Sequence, residues 1–447
     1  MTKLAKTTIL TRTLVLGTAA LALSACGVVG GDGPGTTPTV GDRTPILSKI
    51  ESGAKVDPAL ASVAVTLPAP EANTEWAQAG GSASKSYGHL ALSATPTRVW
   101  TANIAGSSNE RKLAAAPVVG GGLLFAFDTE GTVHALDAAT GTRRWSQSLG
   151  QKGGGSSIFG GGVSYADNRV FVTTGLGEVA ALDAQTGAQV WRVKPAGPLR
   201  GSPTLAFNAV YVMTLDNQIV ALNADDGSIV WQEAGSAGQS GVFGVAAPAA
   251  AQGTVVAGYS SGELIAYRYE NGRNLWDDAL ARTSISTSVG TLTDIDADPI
   301  IQDGRVYALG QGGRMAAYEL VTGQRVWELN LAGISTPAVG GDWIFTLTDD
   351  ARLLAIARST GKVRWISQLR QWENEKKEED PVFWSGPVLA GGRLWVAGST
   401  GAVWSVDAAD GSQSLLADLK APVSLAPVVA NQTLYVLDSS GRITAFR

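Results

Sequence analysis

Across 447 residues this chain holds one cysteine and two histidines, and only 16% of its residues are charged. A lone cysteine, Cys26, excludes a disulfide within the chain, so stability has to come from packing. Two histidines, His89 and His134, leave little from which to build a histidine-based metal site or a Ser-His-Asp triad. With 34 basic residues against 39 acidic ones, the net charge of −5 gives no electrostatic footprint for nucleic acid. The apolar stretch Leu14 to Leu23 is about ten residues long, short of the roughly 20 that a membrane-spanning helix needs. Neither a P-loop nor a dinucleotide fingerprint is present.

Glycine is plentiful instead, at 55 residues, and 45% of the chain is hydrophobic, enough for a large core. These residues follow a ruler. Counting 28 forward from Pro117, Val163, Pro203, Pro248, Pro299, Pro337 and Pro387 reaches Trp145, Trp191, Trp231, Trp276, Trp327, Trp365 and Leu415. A glycine stands four residues before each landing, from Gly141 to Gly411. The units recur every 38 to 51 residues, the mark of a modular array. Each unit is too small to bury its own apolar face, so the repeats predict one closed body at 76–447.

The first unit, Pro117 to Trp145, reads as four strands: Ala115-Val119, Leu123-Phe127, Thr132-Leu136 and Thr142-Trp145. Gly and Asp between them supply the positive φ and side-chain caps of tight hairpins. The result is a four-stranded antiparallel meander, one blade of a β-propeller. First strands such as AAAPVV and STPAVG are built from small residues, as the crowded hub requires. The recurring Trp falls on the outer strand, where blades fan apart and a large ring fills the gap. An eighth unit starts at Pro427 and reaches Arg447 without its outer strand. Thr97-Arg98-Val99-Trp100 resembles Thr142-Arg143-Arg144-Trp145, which predicts that Thr97 to Ile104 lies beside Ile443 to Phe446 and closes an eight-bladed ring.

The N-terminus carries a separate message. Lys3, Lys6 and Arg12 precede the apolar stretch, which reads as a signal peptide over 1–25. It ends in Leu23-Ser24-Ala25-Cys26, matching the bacterial lipobox, so cleavage before Cys26 and lipidation of that residue are expected. Residues 26–75 are rich in Gly, Pro, Thr and Ala and read as a lipidated terminus and flexible linker, with a short helix weakly signalled near 45–53. Gly27 follows the cysteine where an inner-membrane retention signal would have Asp, which favours the outer membrane.

VHALDAATGTRRW, VAALDAQTGAQVW, IVALNADDGSIVW and MAAYELVTGQRVW resemble the repeat of quinone-dependent (PQQ) enzymes and their non-enzymatic relatives. With the lipobox and eight units, the chain looks like the BamB family of outer-membrane assembly lipoproteins, over about 76–447 plus the lipidated terminus. The opening Trp76 to Gly81 and Gly88-His89-Leu90 look most like the alphaproteobacterial variant. Leu199-Arg200-Gly201, entering the third blade, resembles the family's Leu-Arg-Gly segment. Leu292-Thr293-Asp294-Ile295-Asp296, entering the fifth, resembles its Leu-x-Asp-x-Asp segment. The resemblance implies that Leu199, Arg200, Asp294 and Asp296 bind BamA, the barrel-forming partner, at its POTRA domains. It also implies a lipid-anchored position at the periplasmic face of the outer membrane, unfolded outer-membrane proteins as clients, and no cofactor. The family has Leu where this chain has Gly197.

The residues themselves leave other readings open. Arg200, Asp294 and Asp296 would equally suit a structural salt bridge or turn caps. A quinone-dependent dehydrogenase would want a calcium ion, a catalytic Asp and, commonly, a vicinal Cys pair, and no Cys pair exists here. Asp294 and Asp296 are acceptable calcium ligands in type, but no EF-hand-like loop surrounds them. A propeller docking other envelope components is the remaining alternative. The run Glu373 to Asp380, flanked by Trp372 and Phe383-Trp384, reads as a solvated loop tip or as a charged contact.

Overall fold

Burial along each repeat changes with distance from a central axis. In the first blade the short first strand, Val118–Gly120, and the second, Leu123–Phe127, are buried throughout; the outer strand, Arg143–Ser148, alternates between exposed and half-buried. Inner strands are covered by a neighbouring blade on both faces and therefore read as continuous apolar runs rather than alternating ones. The computed structural model describes residues 54–150, 160–236, 246–280 and 294–447. The expected signal peptide, Cys26 and the helix near 45–53 lie outside the described residues.

Among the described residues there are eight four-stranded antiparallel sheets and one two-stranded hairpin. Seven blades are consecutive meanders: 118–148, 161–193, 204–234, 249–279, 300–329, 338–368 and 384–418. The eighth combines Val428–Ala430, Thr433–Leu437 and Arg442–Phe446 with the far N-terminal strand Arg98–Asn103, registered as Arg98 opposite Phe446 through Asn103 opposite Arg442. The predicted closure is the one observed. Apolar clusters then fill each gap between blades, as where Phe125, Val133 and Ala135 of the first meet Val163, Val172 and Leu182 of the second.

The recurrent Trp residues share one geometry. Trp145, Trp191, Trp231, Trp276, Trp327 and Trp365 each pair opposite an alanine of the third strand (Ala135, Ala181, Ala221, Ala266, Ala317 and Ala355), and Trp100 pairs opposite Ala445. Every one of these indole N–H groups donates to a backbone carbonyl of the next blade, from Trp100 to Ala138 (3.3 Å) through Trp365 to Ala408 (3.1 Å). The ring then lies on the glycine three residues beyond that carbonyl. A Cβ on Gly323 would come within 2.5 Å of Trp276, and φ is +70° there, so only glycine fits. This explains both the Trp and the Gly of the ruler. It also explains Leu415. The eighth blade takes its outer strand from the N-terminus, so the hairpin that would receive a seventh-blade Trp does not exist, and Leu415 is left 56% exposed.

Residues 54–75 differ from the linker expected of them. Val56 bridges Val363 in the sixth blade, and the segment continues inward to the hub. Followed on to Leu90, the chain contacts the inner strands or adjoining turns of every blade. Leu67 faces Gly340 of the sixth, Asn73 donates to Val429 of the eighth, and Trp76 bridges Val119 of the first. Tyr165 of the second donates to Ala77, Gln78 exchanges two hydrogen bonds with Leu205 of the third, and Ala250 of the fourth donates to Ala83. Ile301 of the fifth donates to Ser84, and Leu90 donates to Leu389 of the seventh. The chain thereby seals one end of the central channel with its own backbone. Contacts this dispersed impose no periodicity, which is why the composition of 54–75 alone reads as a tether.

Candidate functional site

Opposite that seal, each outer strand runs into a loop leading to the next blade, and the turns between second and third strands emerge on the same face. The two loop motifs singled out by sequence both lie here. Leu199 and Arg200 precede the third blade. Their backbone is fixed by the Leu199–Thr214 bridge, by Arg200 N donating to Met213 O (2.9 Å), and by Gly161 N donating to Arg200 O (3.1 Å). Asp294 and Asp296 precede the fifth blade, with Ile295 and Ala297 between and after them driven into the core, so the acidic side chains are turned the other way. Leu292 lies outside the described residues.

The fold brings the charged members together across 94 and 96 residues of sequence. One guanidinium nitrogen of Arg200, Nη2, donates to Asp294 Oδ1 (3.0 Å) and to Asp296 Oδ1 (3.1 Å). All three are buried, with side-chain exposures of 3%, 0% and 7%. Burial, and then the charge of Asp294, raise the Asp296 carboxyl well above the usual range, while Arg200 opposes the rise. Removing one partner from such a group leaves uncompensated charge in a buried site, so the cluster ties residues 199–200 to residues 294–296.

Leu199, expected from the resemblance to bind the partner, is wholly buried against Val210, Val212 and Val220. Its bridge to Thr214 holds it down. The apolar surface at this place comes from its neighbours: Pro198 is exposed and accepts a hydrogen bond from the Leu215 amide, and Leu215 itself is 44% exposed.

Sequence reading missed two buried charged groups nearer the seal, Lys85 and Asp298. Lys85 is fully buried and donates to Ala79 O and Thr204 Oγ1, both at 3.0 Å. Burial lowers its pKa to about 8, against the charge of Asp298; Asp298 in turn is raised by burial and opposed by Lys85. The alternation Asp294, Asp296, Asp298 was the available signal for an acidic strip. Both histidines have structural work. His89 links Pro68 O to the Gly392 amide (2.7 and 2.8 Å), and His134 links Asp128 to Ser146 (both 2.8 Å).

Comparison with known proteins bears on what such a face does. The family model described as "Outer membrane protein assembly factor BamB" matches residues 88–157, 130–367 and 369–447. The chain is similar to the outer membrane protein assembly factor BamB of Salmonella typhimurium, 33% identical over 360 residues that cover 78% of this chain and 88% of the relative. Among solved structures it resembles BamB from Moraxella catarrhalis with a TM-score of 0.66 at 23% identity, covering 79% of this chain and 99% of that one. It resembles the quinohemoprotein alcohol dehydrogenase of Comamonas testosteroni nearly as well, with a TM-score of 0.65 at 15% identity, covering 83% and 80%. At those identities the two structures speak for the propeller and no further.

Proposed function

The chain belongs to the BamB family of outer membrane protein assembly factors, and from that premise we propose that it is a non-enzymatic scaffold lipoprotein of the machinery that inserts outer-membrane β-barrels. In this reading lipid on Cys26 holds it at the periplasmic face of the outer membrane. Its loop face docks on the POTRA domains of a BamA-type barrel subunit, near which unfolded clients pass.

The observation that carries the reading is the pairing of Arg200 with Asp294 and Asp296, which ties the described ends of two loops of one face to each other. Loop ends held in place on a propeller scaffold lose little entropy on binding. We assign the three charged residues and Leu199 a positioning role, and Pro198 and Leu215 the direct apolar contact. The dehydrogenase alternative shares the fold, but the chain's own segment occupies one end of the channel. Adding the quinone should give no spectral change and no alcohol oxidation.

Co-purification of the tagged, lipidated chain from membranes tests the docking. Wild type should bring down the barrel subunit; Leu215→Glu and Arg200→Glu should lose it, the former with an unchanged melting curve. Retention of the subunit by both variants would sink the residue assignment, and its absence from the wild-type sample would sink the function.

A further inference from the structure

Between the sixth and seventh blades the loop face carries an element that the repeat does not require. Trp372–Asn374 and Glu379–Pro381 form a two-stranded hairpin, with Trp372 opposite Pro381 and Asn374 opposite Glu379. It is firmly rooted. Val382 N donates to Gln371 O (2.8 Å), Gln371 Nε2 to Asp350 O (2.9 Å), and Trp384 Nε1 to Arg370 O (2.8 Å). Phe383 is tied to Ser399 of the seventh blade by two hydrogen bonds, yet its ring is 66% exposed.

Both edges of the hairpin are closed to strand addition. Arg370 donates to the carbonyls of Trp372 and Glu373 on one strand. On the other, Pro381 has no N–H and positive φ at Glu378 and Asp380 bends the backbone. Recognition is therefore left to side chains. Residues 373–380 hold five acidic groups against two lysines, so a net charge of −3 out of −5 for the whole chain is gathered in eight residues. A strongly acidic tip beside a rigidly held, exposed aromatic ring repels anionic lipid and nucleic acid and suits a basic protein surface with an apolar pocket.

We propose that this hairpin is a second docking element, in which Phe383 inserts into an apolar pocket on the barrel subunit and the tip pairs with basic residues around it. The proposal rests on the docking reading given above. It adds a contact on the far side of the loop face from Leu215, so one partner surface would be held at two points.

Binding kinetics between the purified full chain and the periplasmic domains of the barrel subunit test it, across a range of salt concentrations. Phe383→Ala should speed dissociation by about tenfold. Glu375→Lys combined with Glu378→Lys and Glu379→Lys should slow association by about tenfold at low salt and remove most of its salt dependence. Melting curves should not move, because the hairpin lies outside the blades. If wild type binds and both variants match it within about twofold at every salt concentration, the hairpin proposal is overturned while the docking reading stands. If wild type does not bind, both fall.

Discussion

At the scale of single residues, the same chemistry serves two purposes. Glycine and Trp interlock to join blades, whereas Arg200, Asp294 and Asp296 join loops. The cluster makes a pH prediction. Folding raises the Asp296 pKa, so the folded chain binds more protons than the unfolded one between the usual carboxylate range and neutrality. Stability contributed by this site therefore falls as pH rises through that window, by at most about 1.4 kcal/mol per pH unit for one group. Asp296→Asn should flatten the loss of thermal stability between about pH 5 and about pH 8, measured by melting at each pH; a slope as steep as wild type would show that Asp296 is not the group titrating. The pairing partners were legible from two loop motifs. The burial of Leu199 was not, because a backbone bridge to Thr214 sets it and a bridge leaves no pattern in residue types.

At the scale of the element, a blade is a meander whose outer Trp needs a receiving groove. That groove is the carbonyl and glycine of the next blade's last hairpin. Trp100→Ala and Trp365→Ala should each cost about 3–5 kcal/mol in chemical denaturation, since each deletes a large ring from an inter-blade layer. Leu415→Trp should change stability by less than about 0.5 kcal/mol, because no hairpin receives it. A clear gain from Leu415→Trp would contradict this account of the ruler. Strand order, blade number and the closing strand could all be read from the sequence, because a fixed spacing records a fixed geometry. What the spacing does not record is the hairpin at 372–381, an insertion that only its charge and aromatics hinted at.

At the scale of the whole molecule, the two ends of the central channel differ. The segment 54–92 lies across one end and touches all eight blades, while the loops, the Arg200 cluster, Leu215 and the hairpin occupy the other. This asymmetry was the least legible feature, since a Pro- and Ala-rich stretch with dispersed backbone contacts resembles a tether. It predicts which face meets the assembly machinery. The most direct measurement is site-specific photo-crosslinking in intact cells from Leu215 on the loop face and from Val321, 82% exposed in a turn of the opposite face. The account predicts a crosslink to the barrel subunit from position 215 and none from 321; a crosslink from 321 with none from 215 would contradict it.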